Sequence, residues 1–153
     1  LPPGATGEAF SFPIPNGAAT VPATAIYAGD GTAEAPNDLS NAQCDLSASQ
    51  PSFVATDKQV QGIGSVEGNS CFSFIENKLT VKLWTTGGGG NYTQRGPGSK
   101  TFFGTGGKQL QTACYPKNQN WHTQAILDSV DTQNGDEEDG YVNSDRPDPL
   151  IPC

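Results

Sequence analysis

The clearest pattern in the chain runs from Cys71 to Trp84. Leu79, Val81 and Leu83 alternate with Lys78, Thr80 and Lys82, the period of two expected of a strand with one buried face. Taking Asn77-Lys78 as a two-residue turn sets Phe74 against Val81 and Phe72 against Leu83, which predicts a hairpin built on cross-strand aromatic–aliphatic pairs. Shorter apolar runs predict strands at Phe53-Val54, from Val60 to Val66, at Thr101-Phe102-Phe103 and from Lys108 to Tyr115, the last with Leu110, Thr112 and Cys114 on one face. His122, Ile126 and Val130 recur every four residues, Asn118 or Asn120 suits the start, and Asn134-Gly135 suits the end. That spacing predicts a helix, with a further strand as the competing reading.

Outside these segments the pattern is thin. Residues 1–25 offer only Phe10, Phe12 and Ile14 as apolar anchors, and Pro13, Pro15 and Pro22 limit them to edge strands, since each removes a ladder donor. The polar run from Gly29 to Ser52 reads as a long loop around Cys44, and residues 131–153 as a surface wrap ending at Cys153. Short strands separated by Gly-rich turns predict a mainly β fold: a compact antiparallel sandwich or barrel with long loops and at most one or two short helices. No interdomain linker is visible, so residues 1–153 are read as one domain.

Composition narrows this picture. Leu, Ile, Val and Phe together are 28 of 153 residues, a lean supply for a core, while Gly and Pro are 31. The net charge of −8 is too dilute to hold a chain of this length open. No apolar run is long enough for a helical membrane span, no heptads suggest a coiled coil, and no repeat suggests a solenoid.

Four cysteines, at 44, 71, 114 and 153, are widely spaced, and a single His cannot complete a Cys/His zinc site. Two structural disulfides are the expectation, with Cys44–Cys71 and Cys114–Cys153 favoured because sequential pairing closes the shorter loops. Each would remove about 3.5 to 4 kcal/mol of denatured-state entropy in the chain-entropy model, a useful supplement to a lean core. The chain has no Met and begins Leu1-Pro2-Pro3-Gly4, which suggests a mature form freed of a leader. Asn91-Tyr92-Thr93 is an N-glycosylation sequon directly after Gly87-Gly88-Gly89-Gly90, a segment expected to form an exposed loop. Cysteines, sequon and missing Met agree with secretion.

Catalytic constellations are sparse. The only candidate base for a Ser/His/Asp arrangement is His122, and Gly64-Ser65-Val66-Glu67-Gly68 does not place its Ser as a nucleophile elbow requires. Glycoside hydrolysis needs two convergent carboxylates, for which Glu67 and Glu76 are the candidates with apolar or aromatic neighbours. Gly62-x-Gly64-x-x-x-Gly68 has one residue too many for a dinucleotide loop, and its glycines are better read as bulges or places of close backbone approach. The acidic group Asp128, Asp131, Asp136, Glu137, Glu138 and Asp139 fails the EF-hand register, because Gln133 and Gly135 fall at ligand positions; a solvated loop is the simpler reading. No cofactor and no metal are expected.

Charge is distributed unevenly. Residues 1–76 and 128–153 each sum to −7, whereas the 51 residues from Asn77 to Leu127 hold no Asp or Glu and carry Lys78, Lys82, Arg95, Lys100, Lys108 and Lys117. At about one cation in nine residues this is far below a nucleic-acid stripe. Either the acidic arms neutralise the centre, or Trp84, Tyr92, Arg95, Lys100, Lys108 and Lys117 form a binding surface. With its four spaced cysteines and the run GNSCFSFIENKLTVKLWTTGGGGNYTQRGPGSKTFFGTGG, the chain resembles the small secreted protein elicitors that plant-pathogenic fungi release into the apoplast. That resemblance covers overall size, acidity and style. It implies a β-rich, non-enzymatic, monomeric effector sensed by a plant cell-surface receptor or held by a cell-wall glycan, provoking a hypersensitive response, and it transfers no site residues. The alternatives are an extracellular polysaccharide hydrolase and a cell-wall structural protein.

Overall fold

The computed structural model of the chain describes residues 20–22, 44–69, 71–87, 91–115, 117–135, 137–144 and 148–153. Ten strands follow in order: β1 (Thr20–Pro22), β2 (Asp45–Ala48), β3 (Ser52–Val54), β4 (Gln59–Glu67), β5 (Ile75–Thr86), β6 (Asn91–Phe103), β7 (Gly106–Ala113), β8 (Gln119–Asp131), β9 (Glu137–Asn143) and β10 (Leu150–Ile151). They form two antiparallel sheets, and no helix occurs among the described residues. The larger sheet runs β1-β6-β5-β8-β10, with β9 also on β8; the smaller has β4 at its centre, with β7 on one side and β2 and β3 sharing the other. The mainly β, antiparallel, compact class expected from the pattern is the class observed.

Two segments differ from their expected form. β5 passes straight through Asn77 with no turn at Asn77-Lys78, and its hairpin partner is β6, beyond Gly87. The reason is that the alternation extends backwards: Ile75 and Asn77 lie on the same buried face as Leu79, Val81 and Leu83. The turn comes earlier, where the Ile75 amide donates to the Phe72 carbonyl (3.0 Å), and Phe72 stacks on Phe74 at 5.4 Å instead of facing the aliphatic row. Residues 119–131 form β8 and not a helix, with Trp121, Thr123, Ala125, Leu127 and Ser129 all buried on one side. A spacing of four fits a strand as well as a helix, because positions four apart share a face at either period. Gly135, expected to end that helix, instead closes the turn after the strand: it adopts φ 83° and its amide donates to the Asp131 carbonyl at 2.7 Å.

The loop expected around Cys44 contains β2, and residues 29–43 lie outside the described part, as do Phe10, Phe12 and Ile14. Pro22 sits in β1, at the edge of the larger sheet, where its missing N–H costs least. The C-terminal segment is more than a surface wrap: β9 extends the sheet alongside β8, and Tyr141, Val142, Asn143 and Ser144 are buried.

The core lies where β4 crosses the inner face of β5 and β8. Along β4, Val60, Gly62, Gly64 and Val66 point inward. A Cβ on Gly62 would lie 2.6 Å from Thr123 Oγ1 and 2.9 Å from Leu83 Cδ2, and one on Gly64 would lie 2.8 Å from Val81 Cγ2. The two glycines therefore let the β4 backbone rest directly on the facing side chains, the close approach expected of them. Apolar clusters form on either side. Val66 joins Leu46, Ile75, Leu79, Val81, Ala125, Leu127 and Val142, while Val60 joins Leu83, Trp121 and Ile151.

The cysteines pair as Cys44–Cys71 and Cys114–Cys153, with Cα atoms 4.6 and 5.8 Å apart. The first bridge is buried in the larger cluster; the second ties β10 to the end of β7. Gly62→Ala should lower stability by about 1–3 kcal/mol, because the added methyl overpacks a filled site. Urea unfolding should show a lower midpoint at unchanged slope. Gln109→Ala, on the exposed outer side of β7, should leave the midpoint within error.

Candidate functional site

The densest polar cluster in the described structure centres on His122, which lies on β8 on the face opposite the core and is fully buried. Its Nδ1 is 2.9 Å from Asp148 Oδ1 and its Nε2 is 3.0 Å from Asn143 Oδ1. Tyr92 of β6 donates its hydroxyl to Asp148 Oδ2 at 2.5 Å and sets its ring edge-on to the imidazole, centroids 5.8 Å apart. Gln124 Nε2 donates to Asn143 Oδ1 at 3.3 Å, and the Thr123 amide donates to Ser144 Oγ at 3.0 Å.

Strand pairing brings these groups together. Register sets Gln124 opposite Asn143, so β9 places its amide beside the imidazole, and β10 delivers Asp148 from the far end of the chain. Asn120 Nδ2 donates to the Asp148 carbonyl at 2.9 Å, and the Trp121 amide donates to the Pro149 carbonyl at 2.9 Å, so the segment is pinned to the start of β8 at Asp148 and at the residue after it. The Cys114–Cys153 bridge holds it from beyond.

This arrangement has the Asp–His half of a hydrolytic triad and lacks the other half. Both ring nitrogens are engaged, one by Asp148 and one by Asn143, so neither is directed at an open nucleophile. The Ser144 hydroxyl lies 3.3 Å from Nδ1, the nitrogen already facing the carboxylate. His122 is thus a joint between β6, β8, β9 and the β10 segment.

The paired-carboxylate arrangement does not form either. Glu76 lies on the outer side of β5, between the inward Ile75 and Asn77, and Glu67 follows the inward Val66 on β4 of the other sheet. The two project from opposite faces. Glu67 lines an open depression of about 520 Å³ with Ser65, Val66, Thr105, Gly106 and Gly107, which supply no second carboxylate. Of the acidic group, Asp136 lies outside the described residues, and among those described no three His, Cys, Asp or Glu gather to hold an ion.

The six expected binding-surface residues divide. Trp84 and Tyr92 are buried and are removed from that surface: Trp84 sits opposite His122 across β5 and β8, and Tyr92 serves Asp148. Arg95, Lys100 and Lys108 line the side where β6 and β7 run past each other, and Lys117 lies apart in the turn before β8. Asn91 opens β6, paired with Pro22, where a loop was expected; Tyr92 and Thr93 continue the strand's alternation. Lys82 stands on the outer face beside Trp84, its Nζ 5.9 Å from the ring centroid, and burial lowers its pKa below the usual lysine value.

Sequence reasoning passed over two polar groups that the fold depends on. Asn77 is wholly buried: its Nδ2 donates to the Gly104 carbonyl at 2.7 Å, and Ser129 Oγ donates to its Oδ1. It thereby joins β5, the β6–β7 turn and β8 beside the Cys44–Cys71 bridge. Asp148 had no signal beyond its place two residues before an apolar pair in a tail that ends in Cys. No protein-family model matches this chain, and no curated protein is similar to it in sequence.

Asp148→Ala removes the carboxylate that accepts from the Tyr92 hydroxyl and faces His122 Nδ1, and should cost about 2–4 kcal/mol in chemical denaturation. Asp148→Asn, which keeps one acceptor, should cost less. Because burial lowers the Lys82 pKa, the unfolded chain binds more protons between that lowered value and 10.5, so stability due to this group rises with pH across that interval. Lys82→Met should therefore be more stable than wild type at pH 7, with the gap closing toward pH 10.5 in melts across that range.

Proposed function

We propose that this chain is a secreted, non-enzymatic elicitor-type effector of a plant-associated fungus, acting by recognition at the plant cell surface. One observation carries the reading: the single His is consumed by the fold, with both ring nitrogens bonded inside a buried cluster. The candidate carboxylates Glu67 and Glu76 face away from each other, which disfavours the hydrolase alternative. Two disulfides in so small a structure are consistent with an extracellular protein. No helix among the described residues is long and apolar enough to cross a membrane.

What remains for function is the surface. Among the described residues the one ion pair is His122–Asp148, and no described cation of the acid-free centre is paired with a described acid. That supports the binding reading of the charge pattern.

Infiltration of the purified native protein into leaves should produce cell death or an oxidative burst, and the reduced and alkylated protein should not. Absence of both responses to the native protein overturns the proposal. Release of reducing sugar from a panel of cell-wall polysaccharides would overturn its non-enzymatic part.

A further inference from the structure

The two sheets are joined between β6 and β7 by a turn at Gly104-Thr105, yet among the described residues no backbone ladder links these strands. They pass by side-chain contact. Register puts Lys100 on the same side of β6 as Gly98, Gly96 and Phe102, the side turned toward β7. Above Gly98 lies the Lys108 side chain: a Cβ there would be 3.1 Å from its Cε and 3.9 Å from its Nζ. Leu110 and Thr112 continue over Gly96, and Thr112 Oγ1 donates to the Arg95 carbonyl at 2.9 Å. Arg95 is held at this end by its Nε, which donates to Thr85 Oγ1 at 2.9 Å.

Three cations therefore follow one another along the seam: Arg95, Lys108 over Gly98, and Lys100. Five residues of extended chain separate the first from the last, about 17 Å at strand rise. β5, from Asn77 onward, β6 and β7 contain no Asp or Glu. The nearest acids along the strands are Glu67 and Glu76, each on an outward face. Like charges placed in a row with no ion-pair partner among the described residues raise the local potential, which an anion would relieve.

We propose that the β6–β7 seam binds an acidic polysaccharide, a chain of uronate sugars whose carboxylates meet Arg95, Lys108 and Lys100 in turn. The inference rests on the reading of this chain as a protein of the plant surface. A single polymer thread suits a linear row between two strands. A membrane or a nucleic-acid duplex would also bring its charge against the acidic parts of a chain at −8. Gly96 and Gly98 leave the strand low beside the row.

The test is affinity electrophoresis of the full chain in gels containing unesterified polygalacturonate, its methyl-esterified form, or a neutral β-glucan. Retardation is expected with the unesterified polymer alone, weakening at least tenfold between 50 and 300 mM NaCl. The double variant Lys100→Glu/Lys108→Glu should lose at least tenfold in affinity, and Lys100→Gln/Lys108→Gln, which keeps the side-chain stems over Gly98, should lose a smaller share. Lys78→Glu/Lys117→Glu carries the same change in net charge away from the seam and should stay within twofold of wild type. Equal losses in the two Glu pairs, retardation by the neutral glucan, no retardation at all, or tighter binding to phosphatidylserine vesicles than to the uronate polymer would overturn the proposal. Leaf responses to wild type without uronate binding would sink the seam and spare the elicitor reading; binding without any leaf response would do the reverse.

Discussion

The two sheets can meet only because β4 presents hydrogen atoms, and no side chains, at positions 62 and 64. Sheets that pack through full side chains stand about 10 Å apart. Here the β4 backbone rests on Leu83, Thr123, Val81 and Ala125, and the apolar residues on either side close around that contact. Val66 seals one cluster and Val60 the other. A chain with only 28 Leu, Ile, Val and Phe residues has too few large side chains to fill a wide gap, so a narrow one suits its composition.

Polar groups are buried between the sheets, at Asn77, and on the opposite face of the larger sheet, at His122, and the structure uses them as fasteners. Asn77 links three elements beside one disulfide, and the His122–Asp148–Tyr92 cluster links four beside the segment held by the other. Each buried group is costly alone and worthwhile only when its partners arrive together. Most of those partners come from distant parts of the chain: Asp148 lies 26 residues from His122 and 56 from Tyr92. The four long strands β4, β5, β6 and β8 supply the scaffold, and the polar fasteners hold the shorter pieces to it.

The same economy shapes the surface. With the His and one Asp spent inside, and Trp84 and Tyr92 buried beside them, the exterior near the acid-free centre is left with cations and amides. β6 and β7 then pass without a ladder, which leaves Arg95, Lys100 and Lys108 in a row where strand pairing would have spread them across a closed barrel.

Alternation at Leu79, Val81 and Leu83 made β5 legible, as did the runs at Val60 to Val66 and Lys108 to Tyr115, because a strand with one buried face writes its period into the chain. Gly62 and Gly64 were legible as a close approach for a similar local reason, and the preference for closing short loops pointed to the observed cysteine pairing. The turn at Asn77 and the helix at 119–131 were misread for opposite reasons. A buried Asn looks like a turn residue until Ser129 and Gly104 are known to satisfy it. A period of four is common to both secondary structures. The sequence by itself therefore determined that this protein is built of strands, where most of them lie, and that its charge divides into acidic arms and a cationic centre. Tertiary structure alone decided that His122 is a fastener and that three of the six cations form a row, because both depend on which strands become neighbours, and neighbours in space leave no period along the chain.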